Sequence, residues 1–586
     1  MTRKRKRWIF LYVPLLVIFM VGLAGKLYIN HVEANAQLLA ETGQAAIKLL
    51  NEYKAGVEKL NLETVLTCYD EEYASDMEGF WVEQLQSERD GVRVYEWGLD
   101  ELRPFKKADV REQVSRYLTN VRSVEEGKFK LDAVEQIHGA GSAIIRAILW
   151  VRGVNREGIA FESHALFRQW LRTIGGEWKI REQTLIYGET VTGDRSGFTD
   201  VTEKAGIDFF SHRNPMWETP EWLPKKFGII KYGQGGVSTA DYDNDGWYDI
   251  FFADGLRPRL YHNNGDGTFT DVTTKAKLPD EMIGIAVAIF ADFDNDGYKD
   301  LFLGCSTGPN RLYRNNGDGT FTDVTEGAGL GGVLVTVAAA ADYDRDGQLD
   351  LYLGRYLDPR TELPTTLFYT RNGAGNTLLH NDGNFHFTDV TAKAGVREGG
   401  LTLGVAWGDY DDDGYQDLYV TNDFGRNALF HNNGDGTFAD VSRETGTLDY
   451  GYGMSATFGD INNDGHLDIY VSNVHSGQRW YGQAATLYRY LLTSIKQGTI
   501  TEDYPLYKEI YSAVGADYAA YGDRVVKGNS LLVNDGTGHF KDISEASHTN
   551  PFGWYWGSTM FDYDNDGRQD IYAVNGWISG KKKDDL

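Results

Sequence analysis

Short apolar runs alternate with acidic loops from about residue 195 onward. Runs such as DIFFAD from Asp249 and DLFLGC from Asp300 are rich in β-branched and aromatic residues, which is typical of strands. Each run except the last, DIYAVN from Asp570, is followed by a stretch of the RLYHNN type and one of the FTDVT type. Asn-Gly or Asp-Gly pairs between these two stretches favour tight hairpin turns. The pattern therefore predicts four antiparallel strands in each repeat.

The spacing of the repeats predicts the architecture. Successive acidic loops begin 51, 50, 67, 51 and 102 residues apart. A four-stranded unit of this length cannot bury its faces alone, so several units are expected to stack around an axis as the blades of a β-propeller. Six blades can be counted, and the long last spacing leaves room for a seventh. A solitary FTDVT from Phe198 could complete the last blade and close the ring.

The loops between the first and second predicted strands carry the candidate chemistry. Each has the sequence Asp-x-Asp/Asn-x-Asp-Gly-x-x-Asp, which places oxygen ligands at positions one, three, five and nine and a turn-forming Gly at position six. An EF-hand is excluded, because position twelve is never Glu and a strand follows instead of a helix. Repulsion among the clustered carboxylates has no other evident compensation, so the loops are predicted to bind Ca²⁺ at about six structural sites.

The predicted metal ligands are numbered by loop in chain order. They are Asp241, Asp243, Asp245 and Asp249 in loop 1; Asp292, Asp294, Asp296 and Asp300 in loop 2; Asp342, Asp344, Asp346 and Asp350 in loop 3; Asp409, Asp411, Asp413 and Asp417 in loop 4; Asp460, Asn462, Asp464 and Asp468 in loop 5; and Asp562, Asp564, Asp566 and Asp570 in loop 6.

Three insertions interrupt the repeat period, at residues 208–234, 355–375 and 476–528. The first lies between a fourth strand and the next first strand, and the other two lie between second and third strands. They are therefore expected on the face opposite the acidic loops. Aromatic side chains on long loops favour recognition, although the insertions could instead pack on one another and cap the channel. The aromatic residues concerned include Trp217, Trp222, Tyr356, Phe368, Tyr369, Trp480 and Tyr481.

Residues 37–190 share no repeat with the rest of the chain. Two helical patterns precede long alternating strands, which predicts a small α+β domain. The ending W-x-I-x-x-Q-x-L-x-x-G from Trp178 resembles the last strand of the nuclear-transport-factor-2-like, cone-shaped domains. The resemblance implies a small-molecule pocket or, as the favoured alternative, a spacer or assembly role. The candidate pocket residues are His138, His164, Glu162 and Asp132.

The amino terminus predicts a membrane anchor. Residues 1–7 include five basic residues and are expected in the cytoplasm, and the apolar run over residues 8–25 is expected to span the membrane as an uncleaved signal anchor. The remainder would then be extracytoplasmic, in the periplasm or at the cell surface. Ala34-Asn35-Ala36 has the form of a cleavage site, so secretion after cleavage near Ala36 is the alternative.

Composition narrows the possible partners. The formal net charge of −27 excludes nucleic acid as an expected partner, because phosphate binding needs basic surface. The only cysteines are Cys68 and Cys305, so packing and calcium, not a disulfide framework, are expected to stabilise the fold.

No nucleophile elbow, zinc motif or dinucleotide-binding turn occurs, and the chain is not predicted to be an enzyme. The alternative is an extracytoplasmic enzyme or enzyme subunit with a pocket in the amino-terminal domain or the propeller.

FTDVT, the acidic loops and NNGDGTF together make residues 195–586 similar to the FG-GAP/VCBS-repeat propellers of integrin α-subunits and the cartilage acidic protein 1 family. The stretches that begin YLDPRTELPTT at Tyr356 and GNSLLVNDGTG at Gly528 resemble the latter family in particular. The resemblance implies a calcium-bearing propeller that recognises an extracellular or envelope protein or a glycan, in adhesion for example. It also implies that position seven ligates through its carbonyl and that Asn462 weakens its site. The predicted fold is thus mainly β, a six- or seven-bladed propeller preceded by a transmembrane helix and a cone-like α+β domain.

Overall fold

A computed structural model describes residues 38, 41–75, 82–89, 91–98, 105–139, 141–193, 200–212, 215, 235–331, 334–358, 370–475, 528–551 and 553–576. The described residues fall into two compact units, divided between residues 199 and 200.

The first unit consists of helices and one large antiparallel sheet. The helices are α1 (41–58), α2 (Leu62–Thr67) and α3 (Lys107–Asn120). The strands are β1 (Ala74–Ser75), β2 (Val82–Arg89), β3 (Val92–Gly98), β4 (Phe105–Lys106), β5 (Val121–Ile137), β6 (Ser142–Asn155), β7 (Ala160–Ile174) and β8 (Glu177–Thr192). Six of them form a sheet in the order β2-β3-β8-β7-β6-β5, while β1 pairs with β4.

One face of this six-stranded sheet forms the core of the first unit. Buried and partly exposed residues alternate along β6, as expected of a strand that is covered on one face. Tyr53 of α1, Phe129 of β5 and Phe167 of β7 meet in this core, and each is at most 2% exposed. The helices and the sheet of this unit agree with the α+β pattern predicted for residues 37–190.

The second unit repeats one four-stranded antiparallel sheet. Sheet 1 is β9 (Gly236–Ala240), β10 (Asp249–Ala253), β11 (Arg259–Asn263) and β12 (Phe269–Asp271); sheet 2 is β13 (Ile285–Ala291), β14 (Asp300–Cys305), β15 (Arg311–Asn315) and β16 (Phe321–Asp323); sheet 3 is β17 (Val335–Ala341), β18 (Asp350–Arg355), β19 (Thr377–Asn381) and β20 (Phe387–Asp389). A short helix, α4 (Thr391–Ala394), follows sheet 3.

The later sheets continue the pattern. Sheet 4 is β21 (Leu401–Gly408), β22 (Asp417–Asp423), β23 (Ala428–Asn432) and β24 (Phe438–Asp440); sheet 5 is β25 (Ser455–Gly459), β26 (Asp468–Ser472), β28 (Ser530–Asn534) and β29 (Phe540–Asp542); sheet 6 has three described strands, β27 (Val474–His475), β30 (Gly553–Phe561) and β31 (Asp570–Asn575).

Successive sheets pack face to face, which explains the apolar runs of the sequence. The first strand of each sheet contacts the first strand of the next, from β9 through β13, β17, β21 and β25 to β30. The second strands of sheets 2 and 5 are buried at every residue. A strand that is covered on both faces needs continuous apolar side chains instead of alternation.

The ring is not closed within the described residues. Each sheet has two free edges, and in sheet 6 Tyr572 and Val574 of β31 are 51% and 45% exposed. The segment after the solitary FTDVT contacts sheet 1, where the Phe269 amide donates to the Ala205 carbonyl at 2.8 Å. The Phe321 amide makes the same bond to Ala276, which follows sheet 1. This equivalence favours closure by the FTDVT segment, but residues 194–199 lie outside the described residues, and both closure and a seventh blade remain predictions.

The predicted single-pass membrane localisation needs correction. Within the part of the chain that the structure describes, no helix is long and apolar enough to cross a membrane. A spanning helix needs about 20 predominantly apolar residues, whereas α3 has 14 residues and includes Lys107, Asp109 and Arg111. The predicted anchor at residues 8–25 and the cleavage site near Ala36 lie outside the described residues.

A row of asparagines joins neighbouring sheets. The Asn432 amide nitrogen donates to the Tyr343 carbonyl of the preceding loop at 2.8 Å and to the Gln416 carbonyl at 3.1 Å. Asn315, Asn381 and Asn534 make equivalent bonds to the preceding loop, with distances of 2.7, 3.0 and 2.7 Å. These buried side chains satisfy carbonyl groups that water cannot reach.

We expect Asn432→Ala to destabilise the protein by about 2–3 kcal/mol, because it leaves buried carbonyl groups without donors. Asn433→Ala is the matched control: Asn433 is exposed, and its amide donates only to Thr437 among the described contacts. Chemical denaturation of both variants would measure the effect. Equal stability of the two variants would contradict the assigned role of the row.

Candidate metal centres

The six acidic loops connect the first and second strands of their sheets and share one hydrogen-bonding pattern. In loop 1 the position-one carboxylate of Asp241 accepts the backbone amides of Asp245 and Gly246, at 3.0 and 2.9 Å. The position-one aspartates of the other loops accept the amides of positions five and six in the same way. The backbone thereby folds around a point at which the side chains of positions one, three and five converge.

Two positions in each loop have left-handed backbone conformations. Position six is Gly in every loop, with φ between 83° and 93°, and this conformation explains the requirement for Gly. Position four has φ between 57° and 62° and is Asn in four loops, the non-glycine residue that tolerates this region best. The side chain of Asn244 then donates to the Gly297 carbonyl of loop 2 at 3.0 Å, so neighbouring loops are in contact.

The position-nine aspartates of loops 1 to 5 are buried. In loop 2 the two carboxylate oxygens of Asp300 accept the amides of Asn315 at 2.8 Å and Phe293 at 2.9 Å. Burial, followed by the neighbouring carboxylates, raises the pKa of Asp300 to about 7. Burial also raises the pKa of Asp350 to about 7 and that of Asp417 to about 8. A cation at the loop would remove this cost of keeping the carboxylates ionised.

The donor atoms present fit Ca²⁺. Ligand oxygens of Asp241, Asp243 and Asp249 all lie within 4.8 Å of one another, and those of the corresponding residues of loop 2 do the same. At position three, one buried oxygen of each of Asp243, Asp294 and Asp344 has no hydrogen-bond donor. Clustered carboxylates with a free oxygen match the all-oxygen coordination of Ca²⁺. In loop 5, Asn462 replaces a carboxylate and donates to Asp464 at 2.9 Å.

A second set of residues at these loops was not predicted from the sequence. The last residue but one of the third strand faces the carboxylates: His262 in sheet 1, Arg314 in sheet 2, His380 in sheet 3 and His431 in sheet 4. In sheet 5 the corresponding residue is Val533. The available signal was positional, because each of these residues directly precedes an asparagine that ends its third strand.

Of the candidate pocket residues of the first unit, the described structure brings together Glu162 and His164. Glu162 and His164 are neighbours on the face of the sheet opposite the core, where the Glu162 carboxylate contacts His164 Nε2 at 2.8 Å and accepts from Trp150 at 2.9 Å. His138 is exposed beyond the end of β5, and the side chain of Asp132 lies outside the described residues. A cavity of about 780 Å³ lies elsewhere and is lined by ion-paired residues that include Asp70, Lys107 and Arg172.

The predicted recognition face is only partly described. Of the insertion aromatics named in the sequence analysis, only Tyr356 lies within the described residues. That residue is wholly buried, and its hydroxyl donates to the Asp423 carboxylate at 2.6 Å, so it belongs to the core and not to a recognition surface. Burial raises the pKa of Asp423 to about 7.

Known proteins share the repeats. The family described as FG-GAP-like repeat matches residues 241–303, 292–353, 366–420, 409–471 and 510–573. Cartilage acidic protein 1 of Mus musculus is 24% identical over 383 residues, covering 58% of this chain and 57% of the relative. The Homo sapiens protein is also 24% identical, and the match covers 58% of this chain and 56% of that protein. The chain thus spans little more than half the length of these curated relatives.

Two solved structures give only distant similarity. The first is a lectin of Agrocybe aegerita that recognises non-reducing terminal N-acetylglucosamine. It is 15% identical to this chain, the match covers 83% of this chain and 93% of the lectin, and the TM-score is 0.30. The second is a hexachlorocyclohexane dehydrochlorinase. It is 12% identical to this chain, the match covers 28% of this chain and 97% of that protein, and the TM-score is 0.20. The chain thus carries FG-GAP-like repeats over residues 241–353, 366–471 and 510–573 and resembles cartilage acidic protein 1.

Proposed function

We propose that this chain is a recognition protein whose propeller is stabilised by Ca²⁺ and whose insertion face binds a protein or a glycan. The observation that carries the proposal is the carboxylate cage that recurs between the first and second strands of all six sheets. The FG-GAP-like repeats and the resemblance to cartilage acidic protein 1 support a recognition domain rather than an enzyme.

Calcium has a structural role in this proposal. The position-nine carboxylate of each of loops 1 to 5 accepts a hydrogen bond from its own loop and one from the end of the third strand. A cation held by the loop would therefore fix the first three strands of a sheet relative to one another. Because Asn244 also contacts loop 2, ordering of one loop supports its neighbour.

The insertion face is the expected recognition surface, because the insertions at 355–375 and 476–528 leave the end of the sheets opposite the loops. β18 ends at Arg355 and β19 begins at Thr377, while β28 begins at Ser530. Loops that extend from a rigid scaffold are common binding elements, since the scaffold limits the entropy lost on binding.

The test is binding to an array of defined glycans and purified extracellular proteins, with excess Ca²⁺ and with chelator. We expect binding in Ca²⁺ that is lost when residues 476–528 are replaced by a short Gly-Ser linker, while the melting temperature of the calcium-loaded protein stays unchanged. Binding that survives this replacement, or no binding to any member of the array, would contradict the proposed surface. Loss at single polar residues of the 780 Å³ cavity would instead favour the alternative enzymatic function.

A further inference from the structure

The cavity of about 780 Å³ in the first unit carries a set of charges that the proposed function does not use. It lies between α2, the start of α3 and the hairpin that joins β7 to β8. Pockets that bind small organic molecules have volumes of about 300–1,000 Å³, so this cavity has a suitable size. Its described lining includes four basic and four acidic side chains, and the two signs differ in how firmly the protein holds them.

Two lysines of the lining are anchored to the backbone. Lys107 Nζ donates to the Tyr69 carbonyl at 3.0 Å, and Lys179 Nζ donates to the Thr67 carbonyl at 2.8 Å. Only 22% and 19% of the two lysine side chains are exposed. An ammonium group has three donors, so each anchored lysine keeps donors for a further partner in the cavity.

Arg172 is anchored in the same region through a buried carboxylate. Its Nε contacts Asp70, whose side chain is 2% exposed. The Asp70 amide donates to the Ile180 carbonyl at 2.9 Å, and the Ile180 amide donates to the Cys68 carbonyl at 2.8 Å, so β8 fixes this segment. All three anchors therefore belong to residues 67–70, whose first and last Cα atoms are at most roughly 11 Å apart. Three positive charges are thus held within the reach of one small molecule.

The second partner of each anchored cation is an exposed glutamate. These partners are Glu71, Glu177 and Glu72, which contact Lys107, Lys179 and Arg172 at 2.7, 2.9 and 2.8 Å. Their side chains are 89%, 69% and 71% exposed. An exposed ion pair contributes little to stability, because water solvates both partners well. An anionic group of a ligand can therefore replace these glutamates at little cost, while the backbone carbonyls and the buried Asp70 keep the cations in place.

We propose that this cavity binds a small organic molecule with two or more carboxylate or phosphate groups, which Lys107, Lys179 and Arg172 hold in place of the three exposed glutamates. Leu66 and Ile174 line the same cavity and provide apolar contacts for the carbon skeleton of such a molecule. The first turn of α3 also lines it, and the amino terminus of a helix favours an anion. The proposal concerns the first unit and does not depend on a cation in the acidic loops.

The experiment is isothermal titration of the full chain, at constant free Ca²⁺, with tricarballylate, a tricarboxylate, and with fructose 1,6-bisphosphate. Acetate and methyl phosphate are the comparators with a single anionic group. We expect one molecule of a multiply charged probe to bind per chain. Its affinity should exceed that of its comparator at least about tenfold, because each additional charge-assisted hydrogen bond adds to the binding free energy.

Variants assign the binding to the cavity. Lys107→Met and Lys179→Met should each weaken binding at least about tenfold, because each removes a charged donor. Arg116→Met is the matched control, since Arg116 is an exposed residue of α3 that pairs with Glu112 and is not among the lining residues. This control should leave the affinity unchanged. Glu71→Gln should strengthen binding about threefold, because it removes an anion that competes for Lys107, and a misfolded protein would not show this gain.

The outcomes decide both the site and the kind of anion. Binding of only one of the two probes supports the proposal and identifies carboxylate or phosphate as the preferred group. No binding of either probe at millimolar concentration would overturn the proposal, as would an affinity that Lys107→Met and Lys179→Met leave unchanged. Weaker binding by Glu71→Gln would overturn the replacement of the glutamates by the ligand. Because calcium binding by the loops is measured separately, failure of this proposal leaves the proposed function of the propeller untouched.

Discussion

Calcium is expected to raise the melting temperature of the chelated protein by more than about 10 °C. A ligand that binds only the folded state adds about 2.7 kcal/mol per site at a free concentration one hundred times its Kd. Six such loops would together add at most about 16 kcal/mol, more than the whole stability of a typical domain. Chelation should therefore loosen the propeller, and the loss should exceed that caused by any single substitution considered above.

The physical reason lies in the electrostatics of the loops. Position-three and position-nine carboxylates such as Asp344 and Asp350 are desolvated beside one another, and burial followed by neighbouring carboxylates raises the pKa of Asp344. A bound cation replaces repulsion by attraction, so the stabilisation should saturate with the number of ions bound. Differential scanning calorimetry with excess Ca²⁺ and with chelator would measure the shift, and isothermal titration would count the ions.

A matched variant sharpens this measurement. Asn462→Asp restores the carboxylate that loop 5 lacks, so we expect tighter binding of one ion and lower stability in chelator. Substitution of the next residue, Asn463, is the control. Its side chain donates to the Gly567 carbonyl of loop 6 at 3.0 Å, so the change disturbs the same loop without altering a predicted ligand. An unchanged melting temperature in chelator, with no ions bound, would show that the loops are ordinary turns.

The convergence of the loop carboxylates could be predicted because these residues are local in sequence. Positions one to nine fold within a single turn, so the repeated spacing of Asp241, Asp243, Asp245 and Asp249 was sufficient to predict their convergence. The His262 contact depends on the pairing of the second and third strands, where Ile250 lies opposite Tyr261. A pattern search of the loop alone does not include that register, and the third-strand residues were therefore missed.

Errors arose where burial depends on distant segments. Tyr356 follows a strand and begins an insertion, so the composition of the insertion indicated that this side chain would be exposed. The structure instead buries it against Asp423, 67 residues away. Glu162 and His164 lie on alternate positions of one strand, which correctly brings them together but on the face opposite the core. Strand periodicity indicates that two residues share a face, but not which face the helices cover.

Replacement of Asp423 by asparagine is expected to make the protein less sensitive to rising pH. Asp423 is 1% exposed; one of its oxygens accepts the Tyr356 hydroxyl, and the other has no hydrogen-bond partner in the described structure. Burial raises its folded-state pKa to about 7, above the ordinary value of 3.8. The folded state therefore binds this proton more tightly than the unfolded state does.

The sign of the effect follows from proton linkage. The stability contributed by protonated Asp423 is fully present below pH 3.8 and is lost as the pH rises toward and through about 7. At about 1.36 kcal/mol per pKa unit, the loss approaches about 4 kcal/mol. Asparagine resembles the neutral carboxylic acid and has no proton to lose. We expect the two proteins to be similarly stable at pH 4 and the variant to be more stable at pH 8.

Denaturant unfolding of both proteins in excess Ca²⁺ from pH 4 to pH 8 would measure this difference and cancel the background common to both. Tyr356→Phe separates burial from hydrogen bonding. The Tyr356 hydroxyl bond lowers the Asp423 pKa, and its removal leaves the buried carboxyl in place. That variant should therefore keep or enlarge the pH dependence that Asp423→Asn abolishes. A pH profile of Asp423→Asn parallel to that of the unsubstituted protein would show that Asp423 is not protonated in the folded state.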